Sequence, residues 1–175
     1  MGTVVTLAGQ VGAAKLADGL YRLRGAQLAV VVNTGDDYEH LGLAFSPDID
    51  TMLYTLSGLA SASAGWEPEG ETRAVQSMLR SLGGAHQPAV GDRSLAAPLL
   101  RTQGLAENRR LTEITRDFCR ELGISARVLP MSDERVRTNV ITDEGAITFT
   151  EYFTELGCEP QVRGFQYAGV EDARI

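Results

Sequence analysis

The chain has 175 residues, 43% of them hydrophobic and 22% charged, enough for one folded domain that needs neither disulfides nor a structural metal for its stability. A formal net charge of −7 argues against a general nucleic-acid binder, which needs a basic stripe to displace counterions from phosphates; a nucleotide-sized ligand stays open, because local N–H groups and a metal can hold phosphates on an acidic protein. Cys119 and Cys158 have no metal-ligand spacing and read as buried free thiols. No apolar run reaches membrane-spanning length, and the first residues lack the basic start and apolar core of a secretory signal, so a cytoplasmic location is expected.

In chain order, Val4, Val5 and Leu7 mark a short strand, 9–13 a turn, and Leu16, Leu20 and Leu23 recur on one face of a helix. The continuously apolar run Leu28 to Val32 reads as a buried strand lying parallel to the first through a right-handed crossover. A helix carrying Leu53, Leu56 and Leu59 opens at Asp50-Thr51, and a second spans 71–82 until Gly83-Gly84 stops it. The irregular stretch 57–70, with Trp66, reads either as a functional flap or as a surface loop with an aromatic anchor. Gly91-Asp92-Arg93 precedes a helix with Leu95 and Leu99, in which Pro98 belongs to the first turn or makes a kink. Leu111-Thr112 reads as staple and N-cap of a helix burying Ile114, Phe118 and Leu122. A strand over 126–129 ends in Pro130-Met131-Ser132-Asp133, and strands over 140–142 and 146–150 flank Asp143-Glu144-Gly145 as a hairpin. The expected fold is α/β: a Rossmann-like, mostly parallel sheet with helices on both faces, a small hairpin or lid within 57–150, and a single domain over 1–175.

Carboxylates gather just after the second strand, with Asp36 and Asp37 in one turn and Asp48 and Asp50 in the next. Strand ends deliver such groups to the carboxyl edge of a parallel sheet, where open α/β proteins bind ligands. Together the four could hold Mg²⁺, which takes oxygen ligands and keeps waters and substrate phosphates; singly, each also suits a turn or a helix cap. Gly9 and Gly12, with Lys15 one turn on, stand at a strand-to-helix junction suited to a phosphate, although neither the Walker A nor the GxGxxG spacing is complete. Arg135 and Arg137 after the third strand could clamp phosphate or carboxylate, or belong to a salt-bridged loop. His40 and His86 fall in no metal-binding spacing, and no GxSxG elbow occurs.

The blocks Leu7-Ala8-Gly9-Gln10-Val11-Gly12-Ala13-Ala14-Lys15-Leu16, Asn33-Thr34-Gly35-Asp36-Asp37, Ser46-Pro47-Asp48-Ile49-Asp50-Thr51, Gly91-Asp92-Arg93 and Leu129-Pro130-Met131-Ser132-Asp133 together resemble the 2-phospho-L-lactate transferase family, along essentially the whole chain. The resemblance implies a Mg²⁺-dependent transferase of coenzyme F-420 biosynthesis. It would move a phospholactyl or phosphoenolpyruvyl group from a guanosine diphosphate-activated donor to the ribityl hydroxyl of the deazaflavin Fo, releasing GMP. It implies Asp36 and Asp50 as catalytic metal ligands, with Asp48 a further ligand and Asp37 beside them. Gly9, Gly12 and Lys15 would border the diphosphate, Asn33 and Thr34 the ribityl chain, and Ser132 and Asp133 the same cleft, while Trp66 would cover the deazaflavin ring. Two departures stand out: Gln10 and Ala13 occupy positions where the family has glycine, and family members are nearly twice as long. An incomplete sheet is therefore expected, covered by self-association or by a partner supplying the other half. A non-catalytic Fo- or nucleotide-binding module is the competing expectation, and a nicotinamide-binding domain a third.

Overall fold

The computed structural model describes residues 2–84 and 87–174, so His86 lies outside the described residues. Strands β1 (Val4–Ala8), β2 (Leu28–Val32) and β5 (Arg127–Pro130) form a parallel sheet in the order β1-β2-β5. Val4 pairs with Leu28 and Ala29 with Arg127, so both registers run without a break. Two antiparallel units complete the strands: a hairpin of β3 (Tyr38–His40) and β4 (Leu43–Phe45), and a three-stranded sheet of β6 (Arg137–Thr142), β7 (Gly145–Thr148) and β8 (Val162–Ala168) in the order β7-β6-β8. The expected α/β architecture and the 140–150 hairpin are present. The β3-β4 hairpin and β8 had no counterpart in the sequence reading, because three-residue strands and the glycine-interrupted run over 162–168 carry too short a periodic signal.

Helix α1 (Gln10–Arg24) begins directly after Gly9, so most of the expected turn over 9–13 is already helical. Its last turn ends on Gly25 at φ 52°, a left-handed value that glycine accepts without a Cβ clash. Helix α2 (Pro47–Ser57) starts earlier than Asp50-Thr51: Pro47 fixes the first turn, and Asp48 and Asp50 within that turn favour the positive end of the helix dipole. Leu59 falls beyond α2 and is exposed. Helices α3 (Ala74–Ser81), α4 (Ala96–Ala106) and α5 (Leu111–Glu121) follow. Pro98 sits in the first turn of α4, where its missing N–H costs no helical bond, and the residue before α5 is Arg110 rather than Thr112.

The main core lies on one face of the parallel sheet. Val4 and Ala8 of β1, Leu28, Val30 and Val32 of β2 and Val128 of β5 point the same way, and pack with Ala14 and Ala17 of α1, Ile49, Met52, Leu53 and Leu56 of α2, and Leu111 and Cys119 of α5. Alternation along β1 sends Val5 and Leu7 to the opposite face, where they are 62% and 78% exposed. Helix α1 likewise differs from expectation. Its buried residues are Ala14 and Ala17, with Leu20 partly buried against the core, while Leu16 and Leu23 are 57% and 79% exposed. Small alanines let α1 sit close to the sheet, which decides the face that a periodicity of leucines had assigned the other way. Of the two thiols, Cys119 is buried, with its pKa pushed up to about 11 by burial, whereas Cys158 is exposed, which corrects the expectation for the latter.

The segment that follows α2 is tied down by reciprocal capping. Asp92 accepts the Ala74 and Val75 amides at 2.9 Å each, at the start of α3, while Glu71 accepts the Arg93 amide at 2.7 Å and the Ser94 amide at 2.9 Å ahead of α4. This gives the Gly91-Asp92-Arg93 block a structural role: a Cβ at Gly91 would overlap the Glu71 carboxyl.

Candidate active site

The turn after β2 carries Asn33 to Asp37 to the carboxyl edge of the parallel sheet, and Ser46 brings the start of α2 against it. The four acids divide into two pairs. Asp48 accepts the Gln10 amide at 2.8 Å on one oxygen and the Asn33 amide nitrogen at 2.9 Å on the other, binding the β1-α1 junction to the β2 turn. A Cβ on Gly9 would come within 3.3 Å of Asp48 Oδ2, so glycine there gives this carboxylate its place. Asp36 faces Asp48; burial, then the repulsion of Asp48, pushes its carboxyl up to about 6 against opposing hydrogen bonds from Asn33 and Thr138.

Asp37 and Asp50 form the second pair, on the other side of the turn. Ser46 donates its hydroxyl to Asp37 Oδ2 at 2.8 Å, which takes that hydroxyl away from capping α2. Asp50 is gripped by Arg101 of α4, whose two terminal nitrogens reach both carboxylate oxygens. Arg101 is 1% exposed, also donates to the Ala44 carbonyl at 3.1 Å, and lies 6.0 Å from the centre of the Phe118 ring. Burial raises the Asp50 carboxyl above its usual range, and Arg101 opposes the shift. Sequence reasoning did not single out Arg101, Ser46 or Thr138. The available signal for Arg101 was its place on the buried face of α4 at helical spacing from Pro98 and Gly104, where a charge is out of pattern.

Asp36, Asp37, Arg135 and Arg137 line a cavity of about 380 Å³ closed by Tyr38, His40, Thr138, Asn139 and Phe149, between the β2 turn and the β6-β7 hairpin. Arg135 meets Glu39 at 3.2 Å, and Arg137 donates to the Val136 carbonyl at 2.7 Å and the Thr34 carbonyl at 3.4 Å. A smaller cavity of about 130 Å³ has Asp50, Tyr38, Phe45, Tyr54 and Trp66 in its walls. The Tyr38 and Phe45 rings stack at 5.0 Å, and the Tyr38 hydroxyl is pushed up to about 12 by burial and then by Asp50. Ser132 donates to Glu134 at 2.7 Å, and Asp133 accepts the Thr112 amide at 2.7 Å, so Asp133 caps α5. Gly12 and Lys15 lie exposed at the first turns of α1. Gly9, Asn33, Asp36 and Asp48 thus meet in one cluster, Thr34, Asp37 and Asp50 share the neighbouring one with Arg101, and Ser132, Asp133 and Trp66 stand at its margins.

Among the described residues no three acidic, histidine or cysteine side chains close around a common point. Mg²⁺ asks less, since one or two carboxylates with phosphates and waters suffice. Asp36 and Asp48 fit that requirement: both are held by Asn33, and the Asp36 carboxyl is raised by burial and then by the charge of Asp48. Asp50 has Arg101 on both oxygens and fits it less well.

Two consequences follow from this packing. In Gly35→Ala the new Cβ would lie 2.6 Å from Thr138 Oγ1 and 3.1 Å from Asn33 Oδ1, so a loss of about 1–3 kcal/mol in urea unfolding is expected. Asp37 is pushed up to about 7, chiefly by burial. A carboxyl raised in the fold gives stability that is complete below about pH 4 and disappears as pH rises through about 7. Melting temperature should therefore fall between pH 5 and pH 8 in the native chain. Asp37→Asn, which keeps the Ser46 hydrogen bond but has no proton to lose, should flatten that fall by on the order of 2 kcal/mol; an unchanged slope would remove Asp37 from the explanation.

Taken together, the geometry defines an α/β protein with a crevice at the carboxyl edge of a parallel sheet, lined by Asp36, Asp37, Arg135 and Arg137. The family model of 2-phospho-L-lactate transferase CofD matches residues 4–175, and the chain belongs to that family. It is 40% identical over 171 residues to a 2-phospho-L-lactate transferase of Methanopyrus kandleri, covering 97% of this chain and 55% of that protein. A phosphoenolpyruvate transferase of Kitasatospora aureofaciens is 36% identical over 178 residues, covering 98% and 56%. The chain thus spans about half the length of the curated relatives it matches. The crystal structure of a UPF0052-family protein of Bacillus halodurans shares the fold with a TM-score of 0.58 at 15% identity, over 99% of this chain and 53% of that one. No described helix is long and apolar enough to cross a membrane.

Proposed function

We propose that this chain carries the acceptor and metal side of a transferase that moves a phospholactyl or phosphoenolpyruvyl group from a guanosine diphosphate-activated donor to the ribityl hydroxyl of Fo, releasing GMP. The observation that carries the reading is the Asp36–Asp48 pair beside Gly9, with Asp36 also lining the 380 Å³ cavity, in a chain matched by the family model along its length. Bound there, Mg²⁺ would neutralise the diphosphate and favour in-line displacement at phosphorus. Asn33 and Gln10 hold Asp48 in place, and Thr138 and Asn33 orient Asp36. Arg135 and Arg137 offer cationic groups to the phosphate or carboxylate of the donor. Trp66, Tyr38 and Phe45 supply flat apolar surface for a ring system beside Asp50.

The test is GMP release on incubation with Fo, Mg²⁺ and each guanylylated three-carbon donor, lactyl and enolpyruvyl. A second reading, an Fo-binding module without turnover, is favoured by the engagement of both Asp50 oxygens by Arg101, which leaves that carboxylate no free oxygen edge for a cation. It predicts saturable quenching of Fo fluorescence and no GMP. Absence of both signals would sink both readings.

A further inference from the structure

We infer that a polar recess of about 170 Å³ behind the carboxylate turn, with Thr34, Asp37, Arg101 and Arg137 in its walls, binds a small oxyanion that carries one acidic proton, of the hydrogencarbonate or hydrogenphosphate type. The recess lies between the β2 turn, α4 and the segment that leads into β6, and Leu105 and Leu111 form its apolar side. It is a separate space from the 380 Å³ cavity, although Asp37 and Arg137 are walls of both.

Among the described residues, five buried side-chain polar atoms have no hydrogen-bond partner, and four of the five belong to these walls: Thr34 Oγ1, Asp37 Oδ1, Arg101 Nε and Arg137 Nε. Thr34 and Arg101 are each 1% exposed, and Asp37 is 7% exposed. Buried polar atoms are satisfied as a rule, so four orphans around one recess point to a shared occupant rather than to four separate defects.

Charge selects the kind of occupant. Arg137 spends its Nη1 on the Val136 carbonyl at 2.7 Å and the Thr34 carbonyl at 3.4 Å rather than on a carboxylate. The acids of the rim are engaged elsewhere: Glu39 meets Arg135 at 3.2 Å, Asp133 accepts the Thr112 amide at 2.7 Å, and Glu134 accepts the Ser132 hydroxyl at 2.7 Å and the Arg174 amide at 3.2 Å. The terminal nitrogens of Arg101 belong to Asp50. A half-buried guanidinium without a bound anion is costly, and water in the recess would satisfy its N–H without supplying the missing charge. The atoms then narrow the class. Two Nε–H groups and the Thr34 hydroxyl donate, whereas Oδ1 of the Asp37 carboxylate accepts. An anion with at least two acceptor oxygens and one hydroxyl meets all four, and a halide does not. Because Asp37 and Arg137 are walls of both spaces, such an anion would also fix two side chains of the larger cavity.

The experiment titrates the isotopically labelled chain with potassium hydrogencarbonate, potassium phosphate and potassium chloride at matched ionic strength and pH 8, and reads the Nε–H resonances of Arg101 and Arg137 together with the melting temperature. The expected result is a saturable shift of both resonances and a rise in melting temperature with at least one oxyanion, and neither with chloride. The oxyanion that binds more tightly identifies the source. Thr34→Val, which removes one donor at nearly constant volume, should weaken binding by about tenfold. Leu105→Trp, at a 39% exposed residue that lines the recess and not the larger cavity, should fill the recess and abolish binding. Response to neither oxyanion would mean that the recess holds water only and would overturn the assignment, as would an equal response to chloride or unchanged affinity in Thr34→Val. Binding that persists in folded Leu105→Trp would move the anion to the larger cavity and overturn it too; if that variant does not fold, Thr34→Val decides. None of these readings depends on turnover, so they stand apart from the test of transferase activity.

Discussion

Arg101→Met is expected to destabilise the chain by about 3–5 kcal/mol, because it removes the cation and leaves the Asp50 carboxyl buried without its partner. The guanidinium is 1% exposed, and its neighbours are a backbone carbonyl, an aromatic ring and Asp50. Asp50→Leu in the same chain should restore at least half of the loss, since a buried pair replaced by packed apolar groups is often neutral or better. Urea midpoints of the two single variants and the double variant give the coupling directly. A single Arg101→Met variant within 1 kcal/mol of the native chain would show that Asp50 finds another partner and that the pair does not organise the site.

Asp36→Asn should lower GMP release by on the order of a hundredfold and raise the Mg²⁺ concentration needed for half-maximal rate, because it removes one of two facing carboxylates. Asp50→Asn should lower the rate without moving the Mg²⁺ requirement, since Arg101 rather than a cation occupies both of its oxygens. The pairing also predicts a readout free of turnover. Mg²⁺ should raise the melting temperature of the native chain at pH 8, by relieving the Asp36–Asp48 repulsion, and should leave that of Asp36→Asn nearly unchanged. Equal Mg²⁺ responses in the Asp36 and Asp50 variants would defeat this division of the acids and return both to a single metal site.

Side-chain direction explains why the four carboxylates divide into two pairs. Asp48 and Asp50 are two residues apart at the first turn of a helix, so their side chains diverge by about 200° around its axis. One is turned toward the β1-α1 junction and the other toward α4. Asp36 and Asp37 are adjacent in a turn and diverge likewise, one toward Asp48 and Thr138, the other toward Ser46. Spacing in the chain placed all four at the correct sheet edge, and helix geometry then sorted them into pairs.

By itself the sequence determined the parallel β1-β2 pairing, a third strand read over 126–129 and found at Arg127–Pro130, the hairpin at β6-β7, the helical segments and the edge on which the acids stand, since each depends on local periodicity and turn chemistry. Only the tertiary structure decided which face of α1 is buried, that Arg101 belongs to Asp50, and that Asp133 serves the N-terminus of α5. These depend on distance between elements far apart in the chain: close approach favours Ala14 and Ala17 over Leu16 and Leu23, and a charge on the buried face of α4 must find its counterion wherever the fold brings one.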